Sequence, residues 1–246
     1  MKSLRQVYDK IGETFPPIAG VANGALVLRD KLFVNTSFED LETVFRPKVT
    51  GTLNLHELFS EDTLDWFIAF SSIVATSGNS GQSAYSAANC FMKAFINQRR
   101  KRGLVGSIMD ISRVHGVGYV ERETKATGSL TEKDISKIYR VSMPMSEADL
   151  HQLFAEAVLA SKLGSGRDPE LITGIRTLLT TETSDIFWAA NLKFSHFVHE
   201  AESADTDVGG KAVRVAVKIQ LQEAKSVDDV VGIIKGMSKL LHVYLA

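Results

Sequence analysis

The sequence predicts an α/β fold in which a parallel sheet is flanked by helices. Three apolar runs of strand length, Ile18–Leu28 (IAGVANGALVL), Leu64–Ser71 (LDWFIAFS) and Val105–Ile111 (VGSIMDI), carry that prediction. None alternates strictly, as expected of strands covered on both faces. Stretches of helical pattern long enough for crossovers separate them, which is the order of βαβ units.

The opening MKSLRQVYDKIGETFPP reads as a polar helix rather than a signal peptide. After the first strand, Ser37 is an N-cap with Asp40 three residues on, and Leu41, Val44 and Phe45 recur at helical spacing. Pro47 is expected to break or restart that helix, leaving Lys48 at the restart, before Val49, Leu53, Leu55, Leu58 and Phe59 supply a second apolar face. The second strand leads into a turn, Gly78-Asn79-Ser80-Gly81, and then a helix over Tyr85–Arg102. Small residues Ala84, Ser86, Ala87 and Ala88 let its first turns approach the sheet closely. Its basic end, Arg99 to Arg102 before Gly103, reads as helix-end capping and a solvated face.

Residues 112–142 mix Gly, Thr, Ser and charges, the pattern of a long loop beside a substrate pocket. Ser146 and Asp149 form a second capping box, with Met145 and Leu150 as a staple, for a helix running to Gly164. A short strand, Leu171–Ile175, follows. Residues 177–212 lose periodicity, although Phe187, Trp188, Phe194 and Phe197 suggest a strip that packs back onto the domain. Ser226–Leu241 is an amphipathic helix. The expected organisation is a main domain over 1–180, an edge segment over 181–212 and a further segment over 213–246.

Composition excludes several function classes. Of the 246 residues 44% are apolar, enough to bury a core, so disorder throughout is excluded. With 28 basic and 29 acidic side chains the net charge is -1, and no global field draws the chain to nucleic acid or anionic lipid. No apolar run reaches the ~18 residues of a membrane span. The lone Cys90 forms no internal disulfide and reads as a small core residue, so the expected setting is the reducing cytoplasm. No Cys/His array has metal spacing; His196 and His199 are separated by Phe and Val without a glutamate base, so no metal is expected. His115 reads as a surface histidine.

The densest constellation lies between the second strand and the helix after it: Phe70-Ser71-Ser72, Gly78, Gly81-Gln82, Tyr85 and Asn89. The carboxyl ends of parallel strands are where open α/β sheets bind ligands, and Tyr85 and Asn89 share one helix face. A phenol with a pKa near about 10 needs a cation nearby to serve as an acid–base group, and Lys48 is the candidate. Singly, each residue has a structural explanation as turn, core aromatic or local hydrogen-bonding group. Jointly, their spacing suits protonation of a reduced carbonyl oxygen.

With those residues the sequence resembles the short-chain dehydrogenase/reductase superfamily, and within it the ketoreductase domain of fungal highly reducing polyketide synthases. The resemblance covers roughly residues 1–200 through PPIAGVANGALVLRD, FEDLETVFRPKVTGTLNLHELF, LDWFIAFSSIVATSGNSGQSAYSAANCFMKAF, RRKRGL and DPELITGIRT. Ordinary short-chain reductases carry lysine four residues after the tyrosine. Polyketide ketoreductases have asparagine there and take lysine from the preceding helix, as Asn89 and Lys48 are placed here. The resemblance implies a Rossmann-like sheet and NADPH-dependent reduction of a β-ketoacyl thioester carried by an acyl carrier protein, within a synthase of several domains. It assigns Tyr85 as proton donor, Ser72 to the carbonyl oxygen, Lys48 to the tyrosinate, and Asn89 to the same group. It places Asn23, Gly24, Ala25 and Ser71 beside the cofactor.

The sequence departs from that family in one respect. No strand–GxGxxG–helix unit occurs, and Gly116-Val117-Gly118 lacks the third glycine. The expected fold is therefore incomplete, a fragment without its first βαβ units and phosphate-binding turn, with very weak NADPH affinity. The helix at 226–241 resembles the start of a carrier domain, but no Asp-Ser-Leu attachment motif appears. The alternatives are a catalytically silent structural part of a synthase and a module that associates with a separate fragment.

Overall fold

The computed structural model describes residues 2–60, 64–118 and 142–200. Contacts divide the chain into two compact units: Met1–Leu178 with Glu182–Val198, and Leu179–Thr181 with His199–Ala246. The sheet and its helices lie in the first; in the second, Leu179 is solvent-exposed. The sequence expectations for 119–141 and 201–246 lie outside the described residues.

Four strands, β1 (Gly20–Asn23), β2 (Trp66–Ser72), β3 (Ser107–Ile111) and β4 (Glu170–Ile172), form one sheet in chain order. All three pairings are parallel. Successive residues of a strand point to opposite faces, and both faces here are covered. Phe67, Ala69 and Ile108 pack against Met92 and Ile96 of helix α5 (Ser83–Lys101). Ile68 and Met109 pack against Leu153 and Ala157 of helix α6 (Glu147–Ser161). Two-sided burial is the reason the strands read as continuous apolar runs.

β1 is shorter than the expected Ile18–Leu28. At Asn23 the side chain replaces the ladder: Ala25 N–H donates to Asn23 Oδ1 at 3.2 Å, and Asn23 Nδ2 donates to Pro47 O at 3.1 Å and Thr52 Oγ1 at 2.9 Å. These bonds turn the backbone off the sheet. β4 is likewise shorter than Leu171–Ile175 and ends before Gly174, which adopts φ +87°; a Cβ there would meet the Cβ of Ser112 at 2.5 Å.

Pro47 does not break its helix. Helix α2 (Phe38–Phe45), capped by reciprocal Ser37–Asp40 bonds, continues through a π-helical turn (Arg46–Thr50) into α3 (Gly51–Leu58). Widening the winding by one residue accommodates a residue with no N–H to donate. It also brings Lys48 inside, at 2% exposure.

The basic end of α5 is solvated only at Lys101 and Arg102, not at Arg99 and Arg100. Arg99 is buried, stacks 4.2 Å above the Phe67 ring and donates to Val105 O at 3.1 Å. Arg100 donates to the carbonyls of Gly106, Ala160 and Ser161 at 3.2, 3.1 and 3.0 Å. These guanidiniums tie the end of α5 to the start of β3 and the end of α6. Cys90, expected in the core, is exposed, because Ala88, Asn89 and Met92 occupy the buried face of α5. The aromatic strip folds as expected for Trp188 and Phe194, whose rings lie 5.1 Å apart in a cluster with Leu178 and Ile186; Phe187 faces solvent.

Candidate active site

A cavity of about 400 Å³ opens at the carboxyl edge of β1, β2 and β3. Gly24, Lys48, Ser71, Ser72 and Tyr85 line it, with Ser112 and Arg113 following β3. This edge is where successive parallel strands feed into diverging helices and leave a crevice. The sequence therefore placed five of its eight predicted residues on one wall. Asn89 is fully buried behind that wall, one helical turn beyond Tyr85, and donates to the Tyr85 carbonyl at 3.0 Å. Asn23 and Ala25 are not lining residues; the Asn23 amide is occupied in joining β1 to the π-turn.

Lys48 reaches inward from the π-turn, and its ammonium donates to Phe70 O at 2.8 Å. It also lies 5.2 Å from the centre of the Tyr85 ring, a cation over an aromatic face. Burial pushes its pKa down to about 8, and the Asp110 carboxylate opposes that fall. Lys48 is therefore mostly cationic at neutral pH and loses its charge just above it.

Burial raises the Tyr85 phenol above its ordinary value; the side chains of Asn89 and Ser72 pull it back, and the charges of Asp30 and Asp110 push it up. The group is a neutral phenol that holds its proton until charge develops near it. Ser72 also accepts from Val74 N–H at 3.3 Å, which orients its hydroxyl at the head of helix α4 (Val74–Ser77). Ser71, 5% exposed, lines the cavity with a hydroxyl that has no protein partner. Of the two serines, Ser72 is the one coupled to the phenol.

Sequence reasoning missed Asp110. It sits fully buried in β3, accepts from Thr76 Oγ1 at 2.7 Å and lies 3.5 Å from Lys93 Nζ. The available signal was an acid in the middle of SIMDI, since a carboxylate in a two-sided buried strand requires a partner. Among the described residues no group of three or more His, Cys, Asp or Glu side chains converges as a ligand set. Nor is any described helix long and apolar enough to cross a membrane.

A family model described as KR domain matches residues 1–116. The chain is 49% identical over 246 residues to the hybrid PKS-NRPS synthetase mpsA of Macrophomina phaseolina, covering 98% of the chain and 6% of that protein. It is 44% identical to fusarielin synthase FSL1 of Gibberella zeae, over 95% of the chain and 10% of that protein. The chain thus spans a small part of the synthases it matches. Among solved structures, the ketoreductase from the first module of phoslactomycin biosynthesis in Streptomyces sp. HK803 aligns with a TM-score of 0.57 at 26% identity, over 69% of this chain and 36% of that one.

Proposed function

We propose that this chain is a ketoreductase that reduces a β-ketoacyl thioester, held on an acyl carrier protein, to the β-hydroxyacyl thioester during polyketide assembly, with NADPH as reductant. The observation that carries the reading is the convergence of Lys48, Ser72 and Tyr85 on one cavity at the carboxyl edge of the sheet. NADPH, when bound, supplies the hydride that goes to the carbonyl carbon. Tyr85 gives its phenolic proton to the carbonyl oxygen as negative charge grows there. Ser72 donates a hydrogen bond to that oxygen, and the nearby ammonium of Lys48 stabilises the tyrosinate left behind. Asn89 fixes the turn of α5 that presents Tyr85.

The wall fits the nicotinamide end of the cofactor: Gly24 and the partnerless hydroxyl of Ser71 border the cavity beside the proton donor. The match of residues 1–116 to the KR domain model and the likeness to synthases support the reading. The test is NADPH oxidation by the chain with an acetoacetyl thioester mimic, with the hydroxy product identified by mass. Tyr85→Phe is expected to lower the rate at least a hundredfold while leaving far-UV circular dichroism unchanged, as about 10²–10⁴ is the usual worth of such a group. Reduction by Tyr85→Phe at the parent rate overturns the proposal.

A further inference from the structure

Behind the cavity lies a charged cluster that the proposed chemistry does not use. Asp110 is fully buried on β3, in register with Ser71 on β2. The residue before Ser71 is Phe70, whose carbonyl holds the Lys48 ammonium. Asp110 and Ser71 both point to the α5 face of the sheet, because Ile108 two residues before Asp110 and Ala69 two before Ser71 pack against α5. One carboxylate oxygen of Asp110 accepts from Thr76 and faces Lys93; the other is buried without a protein partner. Lys93 is shared with Glu170 of β4. The carboxylate is therefore only partly neutralised on its outer side, and its free oxygen lies in the polar layer between the strand ends and α5 that contains Lys48.

We propose that Asp110 is a positioning residue for the site, supplying the buried negative charge that balances the Lys48 ammonium beside Tyr85. A buried cation costs several kcal/mol without a counter-charge, and the strand supplies only carbonyl and hydroxyl dipoles there. The ionisable groups that act on Lys48 are Tyr85 from α5, whose ring it covers, and Asp110 from β3, through the field of its carboxylate; Asp110 itself faces Lys93 from α5, which also pairs with Glu170 of β4. Asp110 also anchors Thr76 on α4, the helix that begins two residues after Ser72. Its catalytic meaning rests on the reductase reading, whereas its pairing with Lys48 does not.

The test is nuclear magnetic resonance titration of the lysine side chains in the whole chain, with the Lys48 signals assigned by Lys48→Met. Asp110→Asn retains an acceptor for Thr76 and removes the charge, and is expected to lower the Lys48 midpoint by about one unit or more. Lys93→Gln leaves Asp110 less neutralised and is expected to raise it. Thr76→Val breaks the anchoring bond without changing charge and is expected to leave it in place. A purely structural role for Asp110 predicts no such opposed pair of shifts. Should Asp110→Asn not fold, Asp110→Ser, which also removes the charge, decides by the same expected fall in the Lys48 midpoint. A Lys48 midpoint that is the same in the parent and in every folded charge variant overturns the proposal. The titration needs neither NADPH nor a ketone, so failure to reduce the thioester and failure of the pairing are separate results.

Discussion

Replacing Lys48 by Met tests the electrostatics of the site through stability alone. In the folded chain the ammonium is 2% exposed, and its pKa falls from 10.5 to about 8. Between those values the unfolded chain holds a proton that the folded chain has lost, so parent stability rises with pH across that window. The full shift is worth about 3 kcal/mol; from about pH 7 to about pH 10 the gain is about 2.5 kcal/mol. In Lys48→Met that gain is absent. At neutral pH the two chains should be within about 2 kcal/mol, because the relieved desolvation is offset by the Phe70 carbonyl losing its donor. The assay is urea unfolding of both chains at the two pH values, where the difference appears as a midpoint shift of about 1 M. The Tyr85 phenol, raised above its ordinary value, makes stability fall as pH passes that value, and it is common to both chains. The same fall in Lys48 charge should carry the rate of reduction down above about pH 8. If Lys48→Met keeps the parent's pH dependence of unfolding, Lys48 is not the group that titrates and the argument fails.

Three further outcomes follow from the packing. Gly20→Ala puts a methyl group into the indole of Trp66 on the paired strand, so the ring must move; a loss of about 1–3 kcal/mol is expected by chemical denaturation, with a red-shifted tryptophan emission. Ser161→Ala leaves the buried Phe67 N–H without its 3.0 Å acceptor, at a cost of about 1–3 kcal/mol, whereas Ser161→Thr keeps the hydroxyl and is expected to recover part of it. Ser37→Ala removes the hydroxyl that accepts from Asp40 N–H and leaves only the backbone arm of the capping box of α2, costing about 1 kcal/mol. The bonds from Lys31 and Ser37 hold the Asp40 carboxyl at about 2, so the parent keeps that contribution above its ordinary value of 3.8 and loses it as pH falls toward 2; Ser37→Ala should lose part of this acid resistance in the same denaturation series.

How much was legible in the sequence depended on whether a feature was local. The strand centres, the two capping boxes and the helix carrying Tyr85 follow from spacing over a few residues, and the structure places them where spacing indicated. The ends of β1 and β4 were not legible, since Asn23 stops β1 by bonding to Pro47 and Thr52, far along the chain, and Gly174 ends β4 against Ser112. Pro47 misled for a related reason: its local signal is a break, while the surrounding packing selects a π-turn instead. Arg99 and Arg100 read as solvated because charge pattern reports chemistry and not partners; the partners are carbonyls contributed by other elements.

The π-turn joins these two themes. A regular helix through residue 48 would present the lysine about 100° away from where a one-residue insertion places it. The cost of the irregular winding is a local one, and what it secures is an ammonium buried against the end of β2, bonded to Phe70 and set over the face of Tyr85. In an arrangement with tyrosine and lysine one turn apart on the same helix, the spacing of that helix alone sets their approach. Here two helices and a strand end set it, so the approach depends on Asn23 gripping Pro47 within the turn and Thr52 just after it. That makes Asn23 a support for the ammonium, with its amide bonded to the Pro47 carbonyl and the Thr52 hydroxyl instead of lining the cavity.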